Sequence, residues 1–143
     1  MNETNRLNPI LLVDDNPMDV ELTLTAFRKR HLANPVIVAR DGQEALDWIP
    51  RWEAGEVLPL VILLDINMPK VGGLEVLQRL KAHSELRVIP VVMLTTSAEP
   101  DDVKTAYLDR ANSYIVKPVN YENFSRIVEQ LEMYWAVLNR PCN

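Results

Sequence analysis

Leu60-Val61-Ile62-Leu63-Leu64-Asp65-Ile66-Asn67-Met68-Pro69 is the stretch on which the reading of the whole chain turns. Its first five residues are apolar without alternation. That is the pattern of a short strand covered on both faces, as in a parallel sheet lying under helices. The run ends on a carboxylate, Asp65, and Pro69 then forces the chain into a turn. An acidic group at the carboxyl end of a buried strand stands where open α/β sheets place their ligands. Taken alone, Asp65 is better explained as the cap of the turn that follows it, so the other strands have to decide.

The same punctuation recurs along the chain. Pro9-Ile10-Leu11-Leu12-Val13 is a second solid apolar run, and it ends on two adjacent carboxylates, Asp14 and Asp15. Asn16 and Pro17 read as an N-cap and a first-turn proline, opening a helix to about Arg30 with Val20, Leu22, Leu24 and Phe27 on its apolar face. Residues 35–39 form a further strand. Asp41-Gly42 then leads into a helix carrying Ala45, Leu46, Trp48 and Ile49, which Pro50 kinks or ends. Residues 52–59 read as a connector. Beyond Asp65, a loop from Met68 to Gly73 precedes a helix through Val76, Leu77 and Leu80 to about His83. Pro90-Val91-Val92-Met93-Leu94 runs into Thr95-Thr96-Ser97, and a helix is expected over residues 99 to about 110. Tyr114-Ile115-Val116 ends on Lys117-Pro118, and Asn120 caps a last helix reaching Leu138. Five short strands alternating with five helical segments mean right-handed βαβ units and a doubly wound, five-stranded parallel sheet. One domain over residues 9–138 is expected, with tails at 1–8 and 139–143.

Composition sets the bounds. The 143 residues suffice for a sizeable core, and 48% apolar with 24% charged residues is ordinary for a soluble globular chain. A net charge of -5 opposes non-specific nucleic-acid binding. The single cysteine, Cys142, forms no internal disulfide. The polar start lacks the apolar core of a signal peptide, and no apolar run approaches the roughly 20 residues that span a bilayer. A cytoplasmic protein is expected, with neither DNA nor membrane as partner. The length is taken to leave no room for a separate output domain, so a signal would leave through a surface of this one.

In a parallel sheet all carboxyl ends lie along one edge. Asp14, Asp15, Asp65, the Thr95 hydroxyl and the Lys117 ammonium are therefore expected to converge. Gathered carboxylates repel, so their pKa values rise or a cation neutralises them. Oxygen-only ligands favour a hard cation, and Mg²⁺ suits best because it keeps waters or phosphate oxygens in its shell. A metal, an ammonium and a hydroxyl around one carboxylate suit phosphoryl chemistry, with Asp65 as nucleophile for an acyl phosphate.

Val13-Asp14-Asp15-Asn16, Leu64-Asp65-Ile66-Asn67-Met68-Pro69, Gly72-Gly73, Leu94-Thr95-Thr96 and Val116-Lys117-Pro118 together resemble the receiver domain of two-component response regulators. The likeness covers about residues 8 to 135. It implies a flavodoxin-like fold with strand order 2-1-3-4-5. It implies Asp65 as phosphoacceptor, and Asp14, Asp15 and the main-chain carbonyl of Asn67 with Asp65 as the Mg²⁺ site. It implies Thr95 as the switch hydroxyl, Lys117 as its charged companion, a cis Lys117-Pro118 bond and Tyr114 as the switch aromatic. The donor implied is a sensor histidine kinase. The chain would phosphorylate and dephosphorylate itself without being an enzyme. Ser97 lacks the acid or amide of fast self-dephosphorylating members, so a phosphoryl lifetime of minutes or longer is expected. The chain is also similar to single-domain regulators that partner phytochrome-type kinases. Those tend to be homodimers through the fourth and fifth helices, here the segment over residues 99–110 and the last helix.

On that last helix Phe124, Ile127, Val128, Leu131, Trp135 and Leu138 form a stripe for the sheet. Met133, Tyr134 and Val137 fall off it, as exposed apolar residues or as a self-association face, the second reading being preferred. His31 and His83 read as surface residues at helix ends, and Glu122, Glu129 and Glu132 as a solvated helix face. A shuttle or phosphate sink in a relay is an alternative for the function. Two further classes compete. A dehalogenase-type phosphatase would need a carboxylate where Asn67 stands. A flavin or nucleotide binder would need a Gly- or Ser/Thr-rich loop where Asp14-Asp15-Asn16-Pro17 stands.

Overall fold

The computed structural model describes residues 8–96, 105 and 110–131. Five parallel strands form one sheet in the order β2-β1-β3-β4-β5: β1 Ile10–Val13, β2 Val36–Ala39, β3 Val61–Asp65, β4 Val91–Thr95 and β5 Ser113–Val116. The helices are α1 Pro17–Lys29, α2 Gly42–Leu46, α3 Trp48–Glu53, α4 Gly73–Ala82 and α5 Tyr121–Gln130, with a 3₁₀ turn at Leu86–Val88. The helix expected over residues 99–110 lies almost wholly outside the described residues, although Thr105 is helical.

The unbroken apolar runs are explained by two cores, one on each face of the sheet. Leu11, Val13, Ile62, Leu64, Val91 and Met93 pack with Leu46, Trp52, Val76, Leu77 and Leu80. The alternate residues Ile10, Leu12, Val61, Leu63, Val92 and Leu94 pack on the other face with Val20, Phe27, Phe124, Ile127 and Val128. Because successive side chains point to opposite faces, a strand buried on both sides has no place for a polar residue until its end. The register then aligns those ends: Val13 pairs with Ala39 and Leu64, Asp65 with Leu94, and Thr95 with Val116.

Several local expectations need correction. Leu22 does not join the apolar face of α1; it is 52% exposed, and buried Thr23 takes the inward position with Val20 and Phe27. The hydroxyl of Thr23 is satisfied inside the helix by donating to the Asp19 carbonyl at 2.9 Å. The second helix is interrupted at Asp47, in the turn before Pro50, where the proline removes the N–H that would bond the Leu46 carbonyl; it does not end at Pro50, since α3 continues to Glu53. Pro50 is the third residue of α3, in the first turn, where a missing N–H forfeits no helical bond. The connector accordingly starts later, for Trp52 lies inside α3, buried and stacked on Trp48 with ring centroids 5.9 Å apart. His83 is more than a surface residue. Its Nδ1 accepts from the N–H groups of Glu85 and Leu86, and its Nε2 lies 2.8 Å from Glu53. Glu122 is exposed but pairs with Arg30 across the gap between α5 and α1. The apolar stripe of the last helix holds through Leu131, whereas Trp135 and Leu138 lie outside the described residues.

Candidate functional site

Two strand ends supply the buried acids. Asp14 and Asp65 follow β1 and close β3, and both are almost fully buried, while Asp15 is exposed. Each is held by the same local device, a short polar side chain bonding its own backbone two residues on. The Asn16 N–H donates to Asp14 Oδ1 at 3.0 Å, and the Asn67 N–H donates to Asp65 Oδ1 at 3.2 Å. The Asn16 side chain then caps α1, accepting from the N–H groups of Met18 and Asp19. On the β3 side, Gly73 brings the start of α4 against the strand. A Cβ there would lie 2.1 Å from the Asp65 carbonyl oxygen, a distance no side chain tolerates.

Lys117 draws the acids together. Its Nζ lies 3.0 Å from Asp14 Oδ2, 3.0 Å from Asp19 Oδ2 and 3.2 Å from Asp65 Oδ2. Its backbone is fixed by an N–H bond to the Thr95 carbonyl at 2.7 Å, and the Lys117-Pro118 bond is cis. Thr95 is buried at the end of β4, one residue past the register partner of Asp65. Tyr114 is half-buried in β5 opposite Met93, against the core face that holds α4. Asn67 is exposed. Ser97, Glu132, Met133, Tyr134 and Val137 lie outside the described residues.

The electrostatics follow from burial and charge. Desolvation lifts the Asp65 carboxyl to about 6, and the neighbouring Asp14 charge adds to the rise, against the pull of Lys117. Burial works against the Lys117 ammonium, but its hydrogen bonds to Asp19 and Asp14 and the charges of Asp65 and Asp14 hold its pKa well above the ordinary lysine value. Asp14, Asp15 and Asp65 each offer an oxygen within 4.8 Å of the others. Negative charge in excess of one ammonium, presented only by carboxylate oxygens, suits a hard divalent cation. The residues present therefore fit the group that the resemblance implies.

Asp19 was not foreseen from the sequence, although a signal for it exists. The helix after β1 starts at the carboxyl rim, so an acid in its first turn faces the same patch. A second unforeseen feature adjoins the site. An open apolar groove of about 620 Å³ is lined by Met18, Leu22, Ala26, Pro118 and Val119, between α1 and the loop after Lys117.

An α/β sheet of this order, with acids at the ends of β1 and β3 around a lysine after β5, defines the receiver class of signalling domains. The family model for the response regulator receiver domain matches residues 10–129, and the chain belongs to that family. Among individual proteins, it is similar to the bacteriophytochrome response regulator AtBRR, whose structure superposes with a TM-score of 0.83 at 50% identity, covering 94% of this chain and 99% of that one. The probable methanogenesis regulatory protein FilR2 of Methanothrix harundinacea is 43% identical over 132 residues, 92% of this chain and 85% of its own length. The response regulator Rcp1 of Synechocystis is 36% identical over 135 residues, 93% of this chain and 92% of its own. A crystal structure of the Mn²⁺-bound form of Rcp1 superposes with a TM-score of 0.71 at 35% identity, covering 90% and 94% of the two chains. A divalent ion in that relative agrees with the oxygen donors found here. No helix among the described residues is long and apolar enough to cross a membrane.

Proposed function

We propose that this chain is a single-domain response regulator in which Asp65 accepts a phosphoryl group from a sensor histidine kinase. The observation that carries the proposal is a buried carboxylate 3.2 Å from an ammonium, within 4.8 Å of two further acids at one sheet edge. In the transfer, an Asp65 oxygen attacks phosphorus as the bond to the donor breaks, leaving an acyl phosphate on the chain. Lys117 neutralises charge on the transferring oxygens, and the Thr95 hydroxyl donates to one of them. Asp14, Asp15, Asp65 and the Asn67 main-chain carbonyl would hold Mg²⁺, which when bound supplies further positive charge to those oxygens. Movement of Thr95 toward the phosphoryl group, with Tyr114 turning inward, would carry the signal to the far face of β5.

The reaction alters the chain itself, so the protein is a phosphorylated signal carrier and not a turnover enzyme. The likeness to AtBRR, a bacteriophytochrome response regulator, supports a phytochrome-type kinase as the donor. The groove beside the site is suited to the donor's docking, for Met18 is 74% and Leu22 52% exposed, both on the helix that carries Asp19. The output would be self-association or partner binding through the last helix, with Met133, Tyr134 and Val137 as its apolar contacts in a cytoplasmic homodimer. Incubation with acetyl phosphate and Mg²⁺, followed by intact mass measurement, tests the core of this reading. One phosphoryl group is expected, absent in Asp65→Asn and after chelation. Steady turnover of the reagent without labelling would instead mean a phosphatase.

A further inference from the structure

An ammonium has three N–H donors on a flexible four-carbon stem, so its position is only as fixed as its partners make it. Lys117 meets three carboxylates, those of Asp14, Asp19 and Asp65. Two of these belong to the trio placed to share a cation, and Asp19 does not. A bound cation would draw charge from Asp14 and Asp65 and loosen their hold on the lysine, leaving Asp19 with its grip unchanged. We propose that Asp19 is the positioning residue for Lys117: it fixes the ammonium from the α1 side, so that the donor facing Asp65 stays aimed at the incoming phosphoryl group. This rests on Asp65 being the phosphoacceptor.

Asp19 is itself well anchored. It stands in the first turn of α1, where the helix dipole favours a negative charge. Its N–H is held by Asn16 Oδ1 at 3.1 Å and its carbonyl by the hydroxyl of buried Thr23 at 2.9 Å. Its side chain is 27% exposed, against 2% for Asp14 and 3% for Asp65, so the carboxylate stays hydrated while it holds the lysine. The Asn16 cap thus reaches the chemistry twice, once through the backbone at Asp14 and once through Asp19. After transfer, Asp14, Asp19 and a phosphoryl oxygen can each take one donor, and no N–H is left unused.

The test compares wild type, Asp19→Ala, Asp19→Asn, Lys117→Ala and the Asp19→Ala/Lys117→Ala double variant. The readouts are the rate of labelling by acetyl phosphate and Mg²⁺ affinity by calorimetry. Asp19→Ala is expected to label about ten-fold more slowly, the loss of one charge-assisted contact in the transition state. Asp19→Asn, which keeps an acceptor and the side-chain shape, should fall between, and it serves as the reading if the alanine variant is unfolded by circular dichroism. Mg²⁺ affinity should stay within about two-fold, and in the Lys117→Ala background the Asp19 change should have no further effect. An unchanged or faster rate in both single Asp19 variants, a further drop in the Lys117→Ala background, or a clear loss of Mg²⁺ affinity would each overturn the assignment. Wild type that takes no phosphoryl group would remove the phosphoacceptor reading and this inference with it. Labelled wild type with equally fast variants removes the inference alone.

Discussion

The ends of β1 and β3 lie side by side in the sheet and begin alike. In both, an aspartate accepts the N–H of the residue two positions on, and both aspartates reach the same Lys117 Nζ. They then diverge. After β1 only residues 14–16 intervene before α1 starts, and Asn16 ties Asp14 to the helix cap. After β3 the chain makes a loop over residues 66–72, with Lys70 in the left-handed region at φ 64°, before α4 returns to the strand at Gly73. One end is held by side-chain caps, the other by close backbone approach. The difference lies in how each carboxylate is held and not in how far it is covered, for the Asp14 and Asp65 side chains are equally buried.

The comparison can be broken at Gly73. Ala there would put Cβ into the Asp65 carbonyl, so Gly73→Ala should lower the unfolding free energy by about 3 kcal/mol, at the upper end for over-packing, in a urea titration. It should also impair labelling of Asp65 because the strand end has to move. A pH series sharpens the contrast next. Asp65 holds its proton to about 6 when folded, against an ordinary 3.8, with burial as the first cause. The folded state thus binds more protons than the unfolded state between those values. This group's contribution is fully present below about pH 4 and is lost as pH rises through about 6. The stability of metal-free wild type relative to Asp65→Asn should therefore fall from pH 4 to 7, and an equal pH slope in the two proteins would refute the burial argument. The smallest effect separates the two asparagines. Asn16→Ala removes the side-chain cap and should cost about 1 kcal/mol. Asn67→Ala leaves the backbone N–H bond to Asp65 intact and should change stability by less than about 0.5 kcal/mol in the same titration.

Legibility from the sequence followed the strength of the local signal. The strands could be placed to within a residue because runs such as Leu60 to Leu64 admit no polar residue on either face. The start of α1 was legible because Asn16-Pro17 combines a cap with a residue that prefers the first helical position. Leu22 was misplaced because residue type alone put it inward, while Thr23 could be buried only once its hydroxyl had a backbone partner. Pro50 signalled an interruption but not its exact place, because a proline disrupts the turn before it, here at Asp47, while the chain stays helical through Pro50 to Glu53. His83 and Glu53 are far apart in the chain, and nothing local to either announces the other.

What the amino-acid sequence determined by itself was the alternation of strands and helices and the residue that closes each strand. These are short-range matters of periodicity, capping and burial. That the closing residues would share one rim followed from parallel strands, once the fold class was known. Only the tertiary structure decided how the charges are partnered: that Lys117 is shared among Asp14, Asp65 and the unforeseen Asp19, and that Asp65 is desolvated enough to hold a proton to about 6. Distances of a few Å and exclusion of water arise from packing across the whole chain, and no single stretch of it carries them.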